Sequence, residues 1–213
     1  MAQCRITEIF YSLQGETRTV GLPTVFVRLT GCPLRCTYCD TAYAFHGGEK
    51  MDISDIVAKV SSYNPRYITV TGGEPLAQPS CRELLSELAD LSSEVSLETS
   101  GAMDISSIDQ RIVTVMDLKT PVSGEESKNR YANIELLKRH DQIKFVICDR
   151  ADYDWACQKL NEYDLANRCE VLFSPIHGEL NAAELADWII TDNLPVRMQI
   201  QIHKYLWGDE QGR

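Results

Sequence analysis

The chain has 213 residues, 24% charged and 44% apolar. That length suits one domain spanning 1–213, and the composition excludes both disorder and a fibrous repeat. Its 31 acidic against 21 basic residues leave a net charge of −10, the reverse of the footprint that nucleic-acid backbones select.

The opening residues lack a basic region followed by an apolar run, and no stretch approaches a membrane span. These features, with eight cysteines read as reduced thiols, point to a cytoplasmic protein without a membrane partner. The first predicted element is a strand over 24–30 (TVFVRLT), β-branched and alternating. It leads through a Cys-rich loop to a helix near 53–62 with Ile53, Ile56, Val57 and Val60 on one face. A strand over 67–71 follows, then a helix over 79–91. Pro79 stands in its first turn, Ser80 and Glu83 are spaced as a capping box, and Leu84, Leu85, Leu88 and Leu91 form its stripe. Further strands are predicted at 94–98 and near 112–118, 142–147, 170–173 and 196–202, with helical patterns near 129–139, 151–163 and 181–191. Seven strands alternating with helices specify an α/β fold. The sheet is parallel with right-handed crossovers, open or curled into an incomplete (β/α) barrel, and ligand sites belong at C-terminal strand ends.

The 24–30 strand runs into Gly31-Cys32-Pro33-Leu34-Arg35-Cys36-Thr37-Tyr38-Cys39-Asp40-Thr41, where Cys32, Cys36 and Cys39 are spaced C-x3-C-x2-C. Three thiolates so close together read as a metal site. Structural zinc takes four ligands, and no second paired knuckle appears downstream. Either a distant fourth ligand closes a zinc site, or three thiolates hold an iron–sulfur cluster with one iron open. The 67–71 strand ends in Thr71-Gly72-Gly73-Glu74-Pro75, where glycines allow close backbone approach.

Together these motifs resemble the radical S-adenosylmethionine (SAM) superfamily. The likeness narrows to its 7-carboxy-7-deazaguanine synthase family through Ser12-Leu13-Gln14-Gly15-Glu16, Arg28 in FVRLTGC, Cys39-Asp40-Thr41 and TGGEP. It continues through Leu97-Glu98-Thr99-Ser100-Gly101, Asp117-Leu118-Lys119, Ser174-Pro175-Ile176-His177 and Gln201-Ile202-His203-Lys204-Tyr205, and so spans the chain. The resemblance implies an incomplete (β/α) barrel of the radical SAM type with a reduced helix complement. It implies a lyase that converts 6-carboxy-5,6,7,8-tetrahydropterin to 7-carboxy-7-deazaguanine and ammonia, in queuosine and other deazapurine biosynthesis. By the same resemblance Cys32, Cys36 and Cys39 hold a [4Fe-4S] cluster whose open iron chelates SAM. Tyr38, Cys39, Asp40, Gly73, Asp117, Leu118, Lys119, Ser174, Pro175, Ile176 and His177 line SAM. Leu13, Gln14, Gly15, Glu16, Arg28 and Thr71 meet the pterin, and Thr41 ligates Mg²⁺ together with substrate oxygens. A flavodoxin-like electron donor and a homodimer are further expectations of the family.

Some of these residues carry a physical reading of their own. Arg28, in an apolar alternating strand, needs a carboxylate, either the substrate's or an internal Asp or Glu. Lys119, ending a buried-looking strand, either serves the site or reaches solvent. Cys4, Cys81, Cys148, Cys157 and Cys169 lack metal spacing and read as ordinary thiols. A glycyl-radical activase shares the Cys loop and small size, but Gln14, Glu16 and Arg28 favour a small acidic heterocycle over a protein substrate. A zinc-binding interaction module is the reading outside catalysis. The chain departs from the family at two places. Some members end soon after HKYL with a carboxylate that reaches substrate, whereas residues 207–213 continue here, and Asp117-Leu118 replaces the Ser-Pro expected before Lys119.

Overall fold

The computed structural model describes residues 2–213. Its strands are β1 (Gln3–Leu13), β2 (Pro23–Leu29), β3 (Glu49–Asp52), β4 (Tyr67–Gly72), β5 (Glu94–Thr99), β6 (Val113–Asp117), β7 (Gln142–Ile147), β8 (Glu170–Pro175) and β9 (Arg197–Met198). They form one sheet in the order β3-β1-β2-β4-β5-β6-β7-β8-β9, which stays open because its two end strands do not pair with each other. Every pairing from β2 to β9 is parallel, as the alternation of strands and helices requires. β1 and β3 add an antiparallel flank, Ile6–Leu13 against Pro23–Leu29 and Gln3–Ile6 against Glu49–Asp52. Neither was among the predicted strands. β3 is four polar or partly exposed residues at an edge, and β1 interleaves Arg5, Thr7 and Glu8 with Cys4, Ile6 and Ile9.

Alternation within each parallel strand divides core from site. In β2, Val25, Val27 and Leu29 enter the hydrophobic core while Phe26 and Arg28 face a cavity. In β7, Ile143, Phe145 and Ile147 enter the core while Lys144 and Val146 face the same cavity. Helices cover the core side. α1 (Ile53–Ser61) buries Ile53, Ile56 and Val60, and α2 (Cys81–Ala89) buries Leu84, Leu85 and Leu88. α3 (Arg150–Glu162) is capped by Asp149, whose side chain accepts from the Asp152 amide at 2.9 Å. α4 (Leu165–Arg168) buries Leu165 against β8; α5 (Ala182–Thr191), capped by Asn181, buries Leu185 and Ile189. α6 (Ile202–Trp207) follows β9.

Three predicted elements are corrected. The helix expected over 79–91 begins at Cys81, and Ser80 makes no side-chain cap bond. Gln78 orders that turn instead: its amide bridges the Arg5 backbone and Thr30 O, and its carbonyl accepts from Cys81 N. The helical pattern near 129–139 is a 3-10 turn over Tyr131–Leu136, because buried Asn133 donates to Gly101 O (3.1 Å) and Met103 O (2.7 Å), pinning it across the β5–β6 connection. The strand expected over 196–202 pairs at only two residues. Gln199 N still donates to Phe173 O, but Ile202 N donates to Gly15 O, so the chain leaves the sheet for the loop after β1. No α-helix lies between β5 and β6 or between β6 and β7, which is the reduced helix complement expected.

Candidate active site

A cavity of about 500 Å³ lies over the C-terminal ends of the parallel strands, bounded by the Cys loop and by the loop after β1. Cys32, Cys36 and Cys39 are unpaired and partly buried in its wall. Burial pushes the Cys32 and Cys36 thiols up. Arg35 organises the loop, donating to Cys32 O (2.8 Å) and Leu34 O (2.6 Å) while its guanidinium stacks over Phe45. From below, the segment between β6 and β7 braces it: Thr37 N donates to Ser123 O (3.1 Å), Thr37 Oγ1 to Val122 O (2.8 Å) and Arg35 N to Glu125 (2.5 Å). Among the described residues no three His, Cys, Asp or Glu side chains converge on one point.

The glycine turn after β4 packs directly on this loop. A Cβ on Gly73 would fall 2.2 Å from Gly31 O and 2.8 Å from Cys32 Cβ. Glu74 is fully buried and accepts from Leu76 N (3.0 Å), Thr99 Oγ1 (2.9 Å), Ser100 N (2.7 Å) and Ser100 Oγ (2.5 Å). Its carboxylate thus ties the end of β4 to the end of β5. At the end of β6, Lys119 is buried and paired with Asp117 at 2.8 Å. Burial would lower its pKa, yet Asp117 and the neighbouring carboxylate and thiol hold the ammonium well above its ordinary value. Asp117 Oδ1 and the Tyr38 hydroxyl are buried without a hydrogen-bond partner among the described residues.

The floor is built by the loop after β1. Gln14 Nε2 donates to Thr69 Oγ1 (3.0 Å) and Glu98 Oε1 (3.3 Å), and its Oε1 accepts from Glu16 N (3.1 Å). The Glu16 carboxylate pairs with Lys144 of β7 and accepts from Gln201 Nε2 at 2.6 Å. Burial pushes Glu16 up, but the Lys144 ammonium and the Gln201 amide hold it below the usual carboxylate range. Glu98, partly buried, accepts from Thr71 Oγ1 (3.0 Å) and has no such cation at contact, so desolvation raises it. Arg28 has an internal partner: its Nε donates to Glu8 Oε1 (2.7 Å), which also accepts from Tyr43 (2.8 Å). Its terminal nitrogens make no hydrogen bond among the described residues and line the cavity beside Phe10 and Tyr43. Thr41 donates to Asp40 Oδ1 (2.9 Å), leaving two hard oxygen groups side by side in the wall.

The structure therefore brings Leu13, Gln14, Gly15, Glu16, Arg28, the Cys-loop residues, Thr71, Gly73, Asp117, Lys119, Ile176 and His177 to one cavity. Three residues of the expected set do not line it. Leu118 turns into the hydrophobic core because its neighbours Asp117 and Lys119 take the cavity side. Ser174 is buried within β8, and Pro175 lines a second cavity beyond Ile176 and His177. The cavity also recruits Glu98, Lys144, Gln201, His203 and Lys204, with Glu8 behind Arg28, and the tail Gly208–Arg213 lies along it. Glu98, Gln201, His203 and Lys204 stood inside segments that carry the family resemblance. Lys144 had only a local signal, one lysine inside the apolar strand QIKFVI.

A cluster with one open iron, SAM and Mg²⁺ are what the superfamily and family imply, and the residues present fit all three. Three half-buried thiols offer soft ligands and leave one position to SAM. Asp117 Oδ1 offers an acceptor that the hydroxyls or ammonium of SAM can satisfy, and Gly73 keeps the wall flat. Thr41 and Asp40 offer the oxygens that Mg²⁺ prefers. Residues 26–185 match the family model of the radical SAM superfamily, and fold and site together are those of a radical SAM enzyme. Within it the chain belongs to the 7-carboxy-7-deazaguanine synthase family. Its relative of that name from Chlorobaculum tepidum is 41% identical over 212 residues, covering 98% of this chain and 96% of the relative. One from Koribacter versatilis is 41% identical, covering 97% and 98%. The crystal structure of QueE from Escherichia coli superposes with a TM-score of 0.72 at 20% identity, covering 93% and 94% of the two chains, a likeness of fold.

Proposed function

We propose that this radical SAM enzyme, acting as one domain, takes 6-carboxy-5,6,7,8-tetrahydropterin to 7-carboxy-7-deazaguanine and ammonia. The observation that carries the reading is the meeting, in one cavity, of the Cys loop with a floor of paired donors and acceptors and an arginine whose fork is uncommitted. When bound, the cluster on Cys32, Cys36 and Cys39 and SAM supply the radical that abstracts hydrogen from the substrate.

The chain supplies binding, orientation and exclusion of water. Gly73, Asp117 and Lys119, with Tyr38, Asp40, Ile176 and His177, wall the SAM end. Arg28 presents its terminal nitrogens to the pterin carboxylate, its angle set by Glu8. Gln14, Glu16, Thr71 and the turn Leu13–Gly15 meet the ring, where an ionised acceptor at Glu16 suits N–H donors. Thr41 gives Mg²⁺ a single neutral oxygen, so most of its ligands come from water and substrate. A small flavodoxin-like electron donor, homodimer assembly and a cytoplasmic setting complete the reading, supported by the family resemblance. Among the described residues no helix is long and apolar enough to cross a membrane.

Anaerobic incubation of reconstituted protein with SAM, reductant and the carboxylated pterin, followed by mass detection, tests this. The expected product is 7-carboxy-7-deazaguanine; SAM cleavage with the pterin left intact would overturn the substrate.

A further inference from the structure

Lys144 stands out as a partly buried cation that no motif announced. It sits mid-strand in β7, opposite Asp117 of β6 and Leu172 of β8, and turns its side chain away from the core into the cavity floor. Its alternate neighbour on the same face, Gln142, accepts from Arg18 N at 3.1 Å, so two consecutive inward positions of β7 grip the loop after β1. Lys144 takes one Glu16 oxygen and Gln201 the other, from 128 and 185 residues away in sequence. Each oxygen keeps a lone pair free for a ligand.

We propose that Lys144 is a positioning residue for substrate: through its ion pair it keeps Glu16 an ionised, fixed acceptor at the floor, without itself touching the pterin. The proposal rests on the reading of Glu16 as a pterin contact. A carboxylate buried this deeply without its cation takes up a proton and swings toward other donors, and a protonated acid loses one acceptor site to its own hydrogen. The groups facing the pair are Glu98 on β5, Asp117 on β6, His203 on α6, Asp40 in the Cys loop and, toward Glu98, Arg28 on β2. Burial, with the Lys204 and Lys144 charges, holds His203 below its ordinary value, and the Glu16→Gln background, which keeps His203, separates its titration from that of Glu16.

The test is equilibrium binding of the carboxylated pterin by anaerobic calorimetry, with SAM present and reductant withheld, from pH 7 to 9. Wild-type affinity should be flat. Lys144→Met, close in length, should weaken binding about tenfold or more at pH 7, with the loss shrinking as pH rises and Glu16 ionises, while SAM affinity stays unchanged. Lys144→Arg should restore the flat profile, and serves as the charge-bearing comparison if the Met variant is unstable. In a Glu16→Gln background, Lys144→Met should cost nothing further. A loss independent of pH, or one that persists in the Glu16→Gln background, would mean that Lys144 acts on the fold or on substrate directly and overturn the proposal. Absence of pterin binding in the wild type would instead overturn the substrate assignment.

Discussion

At the scale of single residues, the proposed roles separate groups that would hold the cluster from groups that would hold substrate. Replacing Cys32, Cys36 or Cys39 by Ala should abolish the cluster's visible absorption and turnover, because three thiolates are the fewest that retain it with an iron open. Cys81→Ala and Cys157→Ala, in helices facing away from the cavity, should keep both; loss with Cys81→Ala and retention with Cys36→Ala would refute the ligand assignment. Arg28→Ala should weaken pterin binding by roughly 2–5 kcal/mol and leave SAM binding intact. Part of that cost is Glu8 left without its cation, so Glu8→Gln separates the two effects. It keeps an oxygen for Arg28 and should weaken pterin binding far less, as a titration of both variants will show.

At the scale of elements, the missing helix between β6 and β7 has a use. Its place is taken in part by 3-10 turns over Pro121–Ser123 and Glu126–Lys128, which bring Val122, Ser123 and Glu125 against the Cys loop. The other support is the glycine turn after β4, where the approach to Cys32 leaves no room for a methyl group. Gly73→Ala should therefore displace backbone rather than a flexible side chain, at a cost of roughly 1–3 kcal/mol. It should lower iron content while preserving secondary structure; full iron occupancy in Gly73→Ala would show that the loop yields. Glu74 explains why the motif needs its acid for the scaffold, since its carboxylate is already saturated by the ends of β4 and β5.

At the scale of the whole molecule, what the sequence disclosed follows how locally each feature is encoded. Six of the seven parallel strands were legible because burial leaves short apolar runs bounded by turns, whereas β9 pairs at only two half-buried residues and β1 and β3 sit at a polar flank and carry no such run. The Cys loop and glycine turn were legible for the same reason, each lying within a few consecutive residues. The partners that fix Gln14 and Glu16 in the floor were not, because β5, β7 and the segment after β9 contribute one or two side chains apiece, and only folding makes them neighbours. Leu118 shows the converse: it belongs to a site-bearing tripeptide, yet strand alternation turns it to the core.

The grip of β7 and Gln201 on Glu16 closes loops of 128 and 185 residues. Chain entropy makes such closures late events in folding, and residues 14–16 lie outside the strand ladders, where side chains rather than paired strands hold the backbone. The backbone amides of residues 14–16 should thus exchange with deuterium well before those in the middle of β4 or β8, and bound pterin should slow them selectively; equal protection in the free protein would contradict this ordering. Substrate seated on Glu16 would then do more than enter a finished pocket, adding its own contacts to a floor that Lys144 and Gln201 already close.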